Sequence, residues 1–367
     1  MHTFARRASL CVAALAVLAT PAYAYKLATK ASAEERRLAG ITNSSWTAAL
    51  SYIAARGMPL LTEPVHEEAT NRIYGCNGDV CAGAEATQAP AAVLSGVRWN
   101  DDPPFRMTAQ QARGMGCQTA STIRFETQPN CWVSLFRDAE KRAAKGAKYG
   151  PGDAMLYRTH FGDLQFLHAM ASRNGELARD TKQRLMDWFE FTWRSALGEY
   201  TLDTRLKSIT SNQTIVAAFG KTDWRLLDLY TQGASGGLRG RVSDVAFGSL
   251  LHALEDSYAA GHAAREESSG SARCYAGDIS VEAPGAILAF HSYSQQDHEA
   301  HEEADSRAKF MADFQQPGNV VDVGRALVRA RAQRLPWETM RPMFDCLLTL
   351  ERPTTPAGPG EGFENLN

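Results

Sequence analysis

Apolar residues recur at intervals of three and four along much of the chain, which is the spacing that places them on one face of an α-helix. In segment 177–197 the large side chains of Leu185, Phe189 and Trp193 follow this spacing and predict core packing. The same pattern predicts further helices at 45–56, 65–75, 133–145, 241–260, 298–314 and 320–333. The sequence has no long alternating pattern typical of strands and no internal repeat. We therefore predict an all-α fold, a single multi-helix domain with long loops.

The segments between these helices are rich in Gly, Ser and Asp and predict loops. Residues 76–130 form one long irregular region in this interpretation, with an acidic turn at Asp101-Asp102-Pro103 after an apolar, strand-like run. A second loop runs from Glu266 to Pro284. The final stretch, 353–367, is polar and rich in Pro and Gly, which is typical of a disordered tail. The domain is therefore expected to span residues 25–352.

Residues 1–24 have the pattern of a secretory signal peptide. Arg6 and Arg7 precede an apolar run, and Ala22-Tyr23-Ala24 offers small residues for cleavage. The run is shorter than the roughly 18–20 residues that a membrane span needs. We expect a mature chain that begins at Tyr25, has no transmembrane segment and is secreted or periplasmic.

Loss of Cys11 with this segment leaves an even number of cysteines, which in an exported chain predicts up to three disulfides. These cysteines are Cys76, Cys81, Cys117, Cys131, Cys274 and Cys346. Cys76 with Cys81, and Cys117 with Cys131, are near in sequence and are plausible partners, which leaves Cys274 with Cys346. The pairing stays open, because six cysteines allow about fifteen connectivities.

Histidines close to carboxylates are the main candidates for chemistry. The remaining histidines are His66, His160, His168, His252, His262, His291, His298 and His301. His252 and Asp256 are one helical turn apart and can bind one metal ion together. Gly261 offers a place for the helix to end, so that His262 can serve a neighbouring metal. Zinc favours this combination of imidazole nitrogen and carboxylate oxygen.

A second acidic segment, 296–305, repeats this spacing. His301 shares a helix face with Asp305, and His298 shares one with Glu302, so either pair could complete a site with His262. Weaker signals are the segment from His160 to His168, which includes Asp163, the acidic turn at Asp101, and His66 at a helix start.

In order, these segments resemble the family of bacterial zinc-dependent phospholipases C and fungal-type single-strand nucleases, in which a helical fold holds three zinc ions in a cleft. His252, three residues, Asp256, five residues and His262 match the spacing of its hallmark motif. The other matching segments are His301 with Asp305, Trp99-Asn100-Asp101, His160-Phe161, and the early helix histidine His66. The segment Gly-Val-Arg-Trp-Asn-Asp-Asp-Pro resembles the sequences of the phospholipase branch more closely than those of the nucleases.

The resemblance implies two or three bound Zn²⁺ ions. One ion would be bound by Asp101, His160, His252 and Asp256. A second would be bound by His262, His301 and Asp305. A third would be bound by His66, Asp256 and a tryptophan at the N-terminus, where this chain has Tyr25. Because the separation from Asp101 to His160 exceeds that in the family, His168 is a rival for the ligand role of His160.

The expected activity is hydrolysis of a phosphodiester by water that zinc activates, with Asp101 holding or deprotonating that water. Glu255, Asp297 and Glu302 are candidates for orienting the ligands from outside. We expect a monomeric phospholipase C that acts on phospholipid at a membrane or micelle surface and releases diacylglycerol and a phosphorylated head group.

Two other functions stay open. One is a zinc-dependent single-strand nuclease or nucleotidase, and the other is a zinc-binding export protein without catalysis. Duplex nucleic acid is not an expected partner, because a chain with a formal net charge of −2 lacks the basic face that duplex binding usually requires.

Overall fold

The computed structural model describes residues 27–41, 63–83, 86–232 and 236–365, and helices predominate among them. The helices in the first half of the chain are α1 (Ala33–Ala39), α2 (Val65–Ile73), α3 (Ala91–Val97), α4 (Pro129–Ala143), α5 (Met155–Phe161) and α6 (Ala178–Ala196). Those in the second half are α7 (Gln213–Phe219), α8 (Leu226–Thr231), α9 (Gly236–Arg239), α10 (Val242–Asp256), α11 (His298–Ala304), α12 (Arg307–Asp313), α13 (Val320–Ala332) and α14 (Trp337–Leu347). The expectation of a largely helical fold is confirmed.

Helix α10 is the centre of the fold, since nearly all of its residues are buried. It packs against α3, and two glycines let the two backbones approach closely. A Cβ on Gly96 would lie 2.1 Å from the carbonyl oxygen of Val245, and one on Gly248 would lie 2.0 Å from that of Val93. This close crossing brings the chain that follows α3 alongside the C-terminal half of α10.

Two predicted loops contain regular structure. The region 76–130 includes α3 and a 3₁₀ turn at Asp79–Ala82, so the expectation of one irregular region is wrong there. The apolar run before Asp101 is helical and not strand-like. The sequence pattern could not distinguish the two, because a short apolar run that is buried on most sides fits a helix as well as a strand. The predicted helix 298–314 is divided into α11 and α12 where Ser306 caps the second helix.

Among the described residues, four short strands also lie outside the all-helical expectation: β1 (Ala263–Arg265), β2 (Arg273–Ala276), β3 (Ile279–Glu282) and β4 (Ile287–Phe290). β1 pairs with β4, and β2 pairs with β3, each antiparallel. The second pair lies within the stretch from Glu266 to Pro284, for which the sequence predicts a loop. Strands of three or four residues are too short to give an alternating pattern that the sequence would reveal.

The disulfides are Cys76–Cys81, Cys117–Cys131 and Cys274–Cys346, which confirms the pairing suggested by sequence proximity. The last one joins β2 to α14 across 72 residues. Such bonds are typical of an oxidising compartment. The expected signal peptide and the predicted helix 45–56 lie outside the described residues.

The C-terminal residues 353–365 are ordered against the domain, which differs from the expected disordered tail. They form bridges with Leu177, His291 and Gln296. Backbone hydrogen bonds link this segment to the domain, and Ala357 is buried. Within the described parts of the chain, none of the helices combines the length and apolar character needed to cross a membrane.

Candidate metal centre

Nine histidine and aspartate side chains converge in the interior beside α10, and each is at most 8% exposed. Their ligand atoms form three groups in which all atoms lie within 4.8 Å of one another. The first group is His66 with His252 and Asp256, the Asp101 group is Asp101 with His160 and His168, and the second group is His262 with His301 and Asp305. Each group could hold a metal ion.

Asp256 connects the first group to its neighbours. Its Oδ1 atom lies 3.3 Å from His66 Nε2, and its Oδ2 atom lies 2.9 Å from His252 Nε2. The same Oδ2 atom is 3.0 Å from His168 Nδ1 and 3.8 Å from His262 Nδ1. One carboxylate therefore faces imidazoles from four different parts of the chain.

Asp101 reaches the same point from the end of the α3 segment. Its Oδ1 atom is 3.7 Å from His168 Nδ1, and its Oδ2 atom is 4.0 Å from His252 Nε2. The preceding residue, Asn100, fixes this position by donating hydrogen bonds to the carbonyl oxygens of Leu167 and Ser249, at 2.7 and 3.2 Å. Asn100 thereby ties Asp101 to the segments that carry His168 and His252.

The geometry favours His168 over His160 as the ligand beside Asp101. His168 Nδ1 lies 3.1 Å from His252 Nε2 and close to both carboxylates, whereas His160 Nε2 donates a hydrogen bond to the Asp101 carbonyl oxygen at 2.9 Å. His160 still lies beside the site, with its ring centroid 5.3 Å from that of His168. The structure brings both histidines into one group with Asp101, so His160 and His168 are both candidate ligands there. The sequence feature that indicated His168 as a rival was the separation between Asp101 and His160, which is longer than in the family that the chain resembles.

Asp163, the other residue of that segment, has a different role. Its carboxylate forms two hydrogen bonds with Arg158, at 2.8 and 2.7 Å, and it is in none of the three groups. It stabilises the turn after α5.

The second group comes together because the chain turns after α10. His262 lies in this turn, and His301 and Asp305 lie one helical turn apart at the end of α11. His262 Nε2 is 3.1 Å and His301 Nε2 is 3.3 Å from Asp305 Oδ2. Gly261 allows this approach, since a Cβ there would lie 2.7 Å from His301 Nδ1.

Of the rival pair, Glu302 is in none of the three groups found among the described residues. Glu302 is buried, and the side chain of His298 lies outside the described part of the structure. The arrangement places His301 and Asp305 together with His262, as the family resemblance implies.

Charge pairing decides the protonation of the bridging carboxylate. Burial alone would raise the pKa of Asp256, but His262, His252 and His66 hold that pKa well below its usual range. Burial raises the pKa of Asp101 to about 6, against the opposing effect of His168. Without metal, the centre therefore keeps Asp256 as an anion at neutral pH.

The imidazoles differ in the number of carboxylates near them. Burial, together with the neighbouring His66, lowers the pKa of His252 to about 3. Burial opposes the charged form of His262 as well, but Asp256 and Asp305 raise its pKa to about 9. The pKa of His66 is also well above its usual value, since adjacent carboxylates outweigh burial. Protons thus occupy places between imidazoles and carboxylates that a divalent cation would take.

Several buried atoms fit a bound cation. Asp101 Oδ2, Asp256 Oδ1 and Asp305 Oδ1 accept no hydrogen bond from the described residues. Unpaired buried carboxylate oxygens are costly, and a coordinated cation would satisfy them. The donor set of imidazole and carboxylate suits a divalent metal ion.

Supporting groups orient the imidazoles. Glu255 Oε2 lies 2.7 Å from His66 Nδ1, and its other oxygen accepts a hydrogen bond from Thr70 at 2.8 Å. His262 Nδ1 donates to the carbonyl oxygen of His168 at 2.6 Å, which directs its Nε2 towards the second group. Such partners fix the tautomer and direction of metal-ligating histidines.

Of the other candidates for this supporting role, Asp297 caps α11 by accepting a hydrogen bond from the backbone N–H of Ala300 at 2.9 Å. It therefore stabilises the start of the helix that carries His301. Its effect on the centre is indirect, through the position of that helix.

The opening of the centre is partly apolar. A cavity beside the ligands is lined by Phe136, Met170, Tyr293 and Thr159. A larger cleft, which contains none of the ligands, borders it where the rings of Phe161 and Tyr293 meet with centroids 5.4 Å apart.

The first described residues lie next to α2. Leu27 is fully buried, and the backbone N–H of Ala28 donates to Glu67 Oε1 at 3.1 Å, immediately after His66 in sequence. Tyr25, the residue in the place of the family's terminal tryptophan, lies outside the described residues.

Comparison with known proteins adds no relative. No protein-family model, curated protein or solved structure matches this chain. The functional assignment therefore depends on the geometry of the centre and on its motifs.

Proposed function

We propose that the protein is a zinc-dependent phosphoric ester hydrolase, specifically a phospholipase C that releases diacylglycerol and a phosphorylated head group. The observation that carries this proposal is the shared carboxylate of Asp256, which lies within 3.8 Å of nitrogens from both the first and the second group. Neighbouring metal sites with a shared ligand are well suited to in-line displacement at phosphorus.

When bound, zinc would supply positive charge for the phosphoryl oxygens and lower the pKa of the attacking water. Asp101 lines the cavity, and its Oδ2 atom accepts no hydrogen bond from the described residues. This atom can orient the water and accept its proton. Asn100 holds the carboxylate in place, since its amide is bound to two carbonyl oxygens. The buried walls limit access of bulk water.

The apolar opening supports a lipid substrate. Phe136, Met170 and Tyr293 offer contacts for acyl-glycerol or for a choline-like cation. The slight negative charge of the chain also suits a zwitterionic lipid better than a polyanion.

One observation favours a single-strand nuclease as the second candidate. The larger cleft beyond Phe161 carries Lys148, Arg173 and Arg184, and cations of this kind suit a phosphate backbone. Aromatic rings between the cleft and the centre could stack a base.

The test compares both substrates with the zinc-loaded mature chain. Release of phosphocholine or phosphoethanolamine from mixed micelles is measured beside release of acid-soluble nucleotides from single-stranded DNA. The phospholipase proposal expects head-group release that is lost in Asp101→Asn. Nucleotide release alone would favour the second candidate, and no release of either product by zinc-loaded protein would reject both.

A further inference from the structure

The C-terminal strap, which we define as residues 353–365, follows a path that reaches both elements of the second metal group. The backbone N–H of Ala357 donates to the Glu176 carbonyl at 2.7 Å, and Gly358 accepts from the N–H of Ser292 at 2.8 Å. Further along, the carbonyl of Phe363 accepts from the N–H of Asp297 at 2.6 Å. The strap is thus bound to the start of α11, the helix that carries His301.

Gln296 joins the strap to the turn that carries His262. Its side chain is only 1% exposed, and Nε2 donates two hydrogen bonds of 2.7 Å, one to the carbonyl of Gly261 and one to that of Pro359. Gly261 directly precedes His262. A single amide therefore connects the metal-ligand turn, the strap and the segment that leads into α11.

His291 completes this connection. Its Nδ1 donates to the Gly261 carbonyl at 3.2 Å, and its backbone N–H donates to the His262 carbonyl at 2.8 Å. The strap packs against this ring without space to spare, since a Cβ on Gly360 would lie 2.4 Å from His291 Cε1. The Phe363 ring lies 5.5 Å from the same imidazole.

We infer that Gln296 is a positioning residue for the metal bound by His262, His301 and Asp305, and that the C-terminal strap is a structural part of that site. This inference rests on the metal binding in the proposed function. The loop with His262 has no regular structure of its own at this point, and the glycine before it offers little stiffness. The Gln296 amide and the His291 imidazole both donate to the Gly261 carbonyl, and together they fix the direction of the next side chain.

Other side chains orient the ligands of the first group and of the Asp101 group, so the effect of Gln296 on zinc affinity is expected to be confined to the second group. Glu255 and Thr70 hold His66, and Asn100 holds Asp101 through hydrogen bonds to neighbouring segments. Neither set of hydrogen bonds includes Gln296 or the strap.

The test is a zinc titration of the full mature chain against a chromophoric chelator, in wild type and in Gln296→Met. Methionine retains the length of the side chain and removes both N–H donors. Zinc affinity at the second group should fall by about 10–100-fold, as is typical when a partner that orients a ligand is lost. Zinc affinity at the first group and at the Asp101 group should be unchanged. Gln333→Met, an exposed position at the end of α13, is the matched control and should behave as wild type.

Two further variants assign the effect. In a His301→Ala background, Gln296→Met should cause no additional loss, because the second group is already disrupted. If Gln296→Met does not fold, as judged by circular dichroism, Gln296→Asn replaces it, since the shorter amide also withdraws from both carbonyls.

Equal weakening of all groups, or wild-type affinity at every group in the folded variant, would overturn the inference. Failure of wild type itself to bind zinc would instead reject the metal-dependent function, so the two failures can be told apart.

Discussion

Replacement of His160 and of His168, each in turn, provides a direct test of the Asp101 group. We predict that His168→Ala severely weakens zinc binding there, whereas His160→Ala leaves most of it intact. His168 Nδ1 lies 3.0 Å from Asp256 Oδ2 and 3.1 Å from His252 Nε2. His160 instead uses Nε2 to donate a hydrogen bond to the Asp101 carbonyl. The first change removes a ligand, and the second removes a support.

The expected magnitudes differ by one to two orders. Zinc sites with four protein ligands have binding free energies of about 10–16 kcal/mol, or about 2.5–4 kcal/mol for each ligand. Loss of His168 should therefore weaken binding roughly 10²- to 10³-fold, because 1.4 kcal/mol is about a factor of ten. Loss of His160 leaves the buried Asp101 carbonyl without this donor, which costs about 1–3 kcal/mol of folding free energy. Its effect on affinity should stay near tenfold, at the lower limit for a supporting residue.

The assay is zinc competition with a chromophoric chelator, together with the metal content after dialysis. His160→Gln is the matched control, because glutamine can again donate an N–H to the Asp101 carbonyl and should recover the stability that His160→Ala loses. Zinc loss in His160→Ala combined with wild-type affinity in His168→Ala would refute the assignment, and would restore His160 as the ligand.

Further predictions concern catalysis, pH, orientation and metal removal. Asp101→Asn should reduce the rate of head-group release by about 10²–10⁴-fold, as expected for loss of a general base, and an unchanged rate would contradict its role. In the metal-free protein the pKa of His262 is about 9, so zinc must displace a proton below that pH. Affinity at the second group should thus rise about tenfold per pH unit between roughly pH 7 and 8 and level off above about pH 9, whereas a pH-independent titration would oppose this reasoning. Glu255→Gln should lower zinc affinity at His66 by about 10–100-fold in the same titration, and equal affinity would show that the 2.7 Å contact is dispensable. Chelation should lower the thermal unfolding midpoint, since zinc at about 100 times its Kd adds about 2.7 kcal/mol, and an unchanged midpoint would argue against binding to the native state.

Local sequence patterns predicted much of the centre. His252 with Asp256, and His301 with Asp305, are pairs at helical spacing, and helix geometry alone places their side chains on one face. The core of α6 followed its periodic apolar residues in the same way. Sequence proximity also indicated two of the disulfides, because closure of a short loop leaves few alternatives.

The errors occurred where distant segments decide the conformation. The apolar run before Asp101 has a strand-like pattern, but two glycines allow it to pack as helix α3 against α10. The C-terminal residues have a composition typical of disorder, yet they are ordered by backbone hydrogen bonds to segments far away in sequence. Amino-acid composition indicates whether a segment would be ordered in isolation, and it contains no information about hydrogen-bond partners in other segments.

By itself, the sequence predicted a mainly helical chain and the residue types of a candidate metal centre, because both follow from spacing along one chain segment. Only the tertiary structure brought His160 and His168 together beside Asp101 and placed Asp256 within reach of several imidazoles. It also revealed Gln296 as the connection between the strap and His262. The physical reason is that coordination requires ligand atoms within a few ångströms, and the packing of segments far apart in sequence sets these distances.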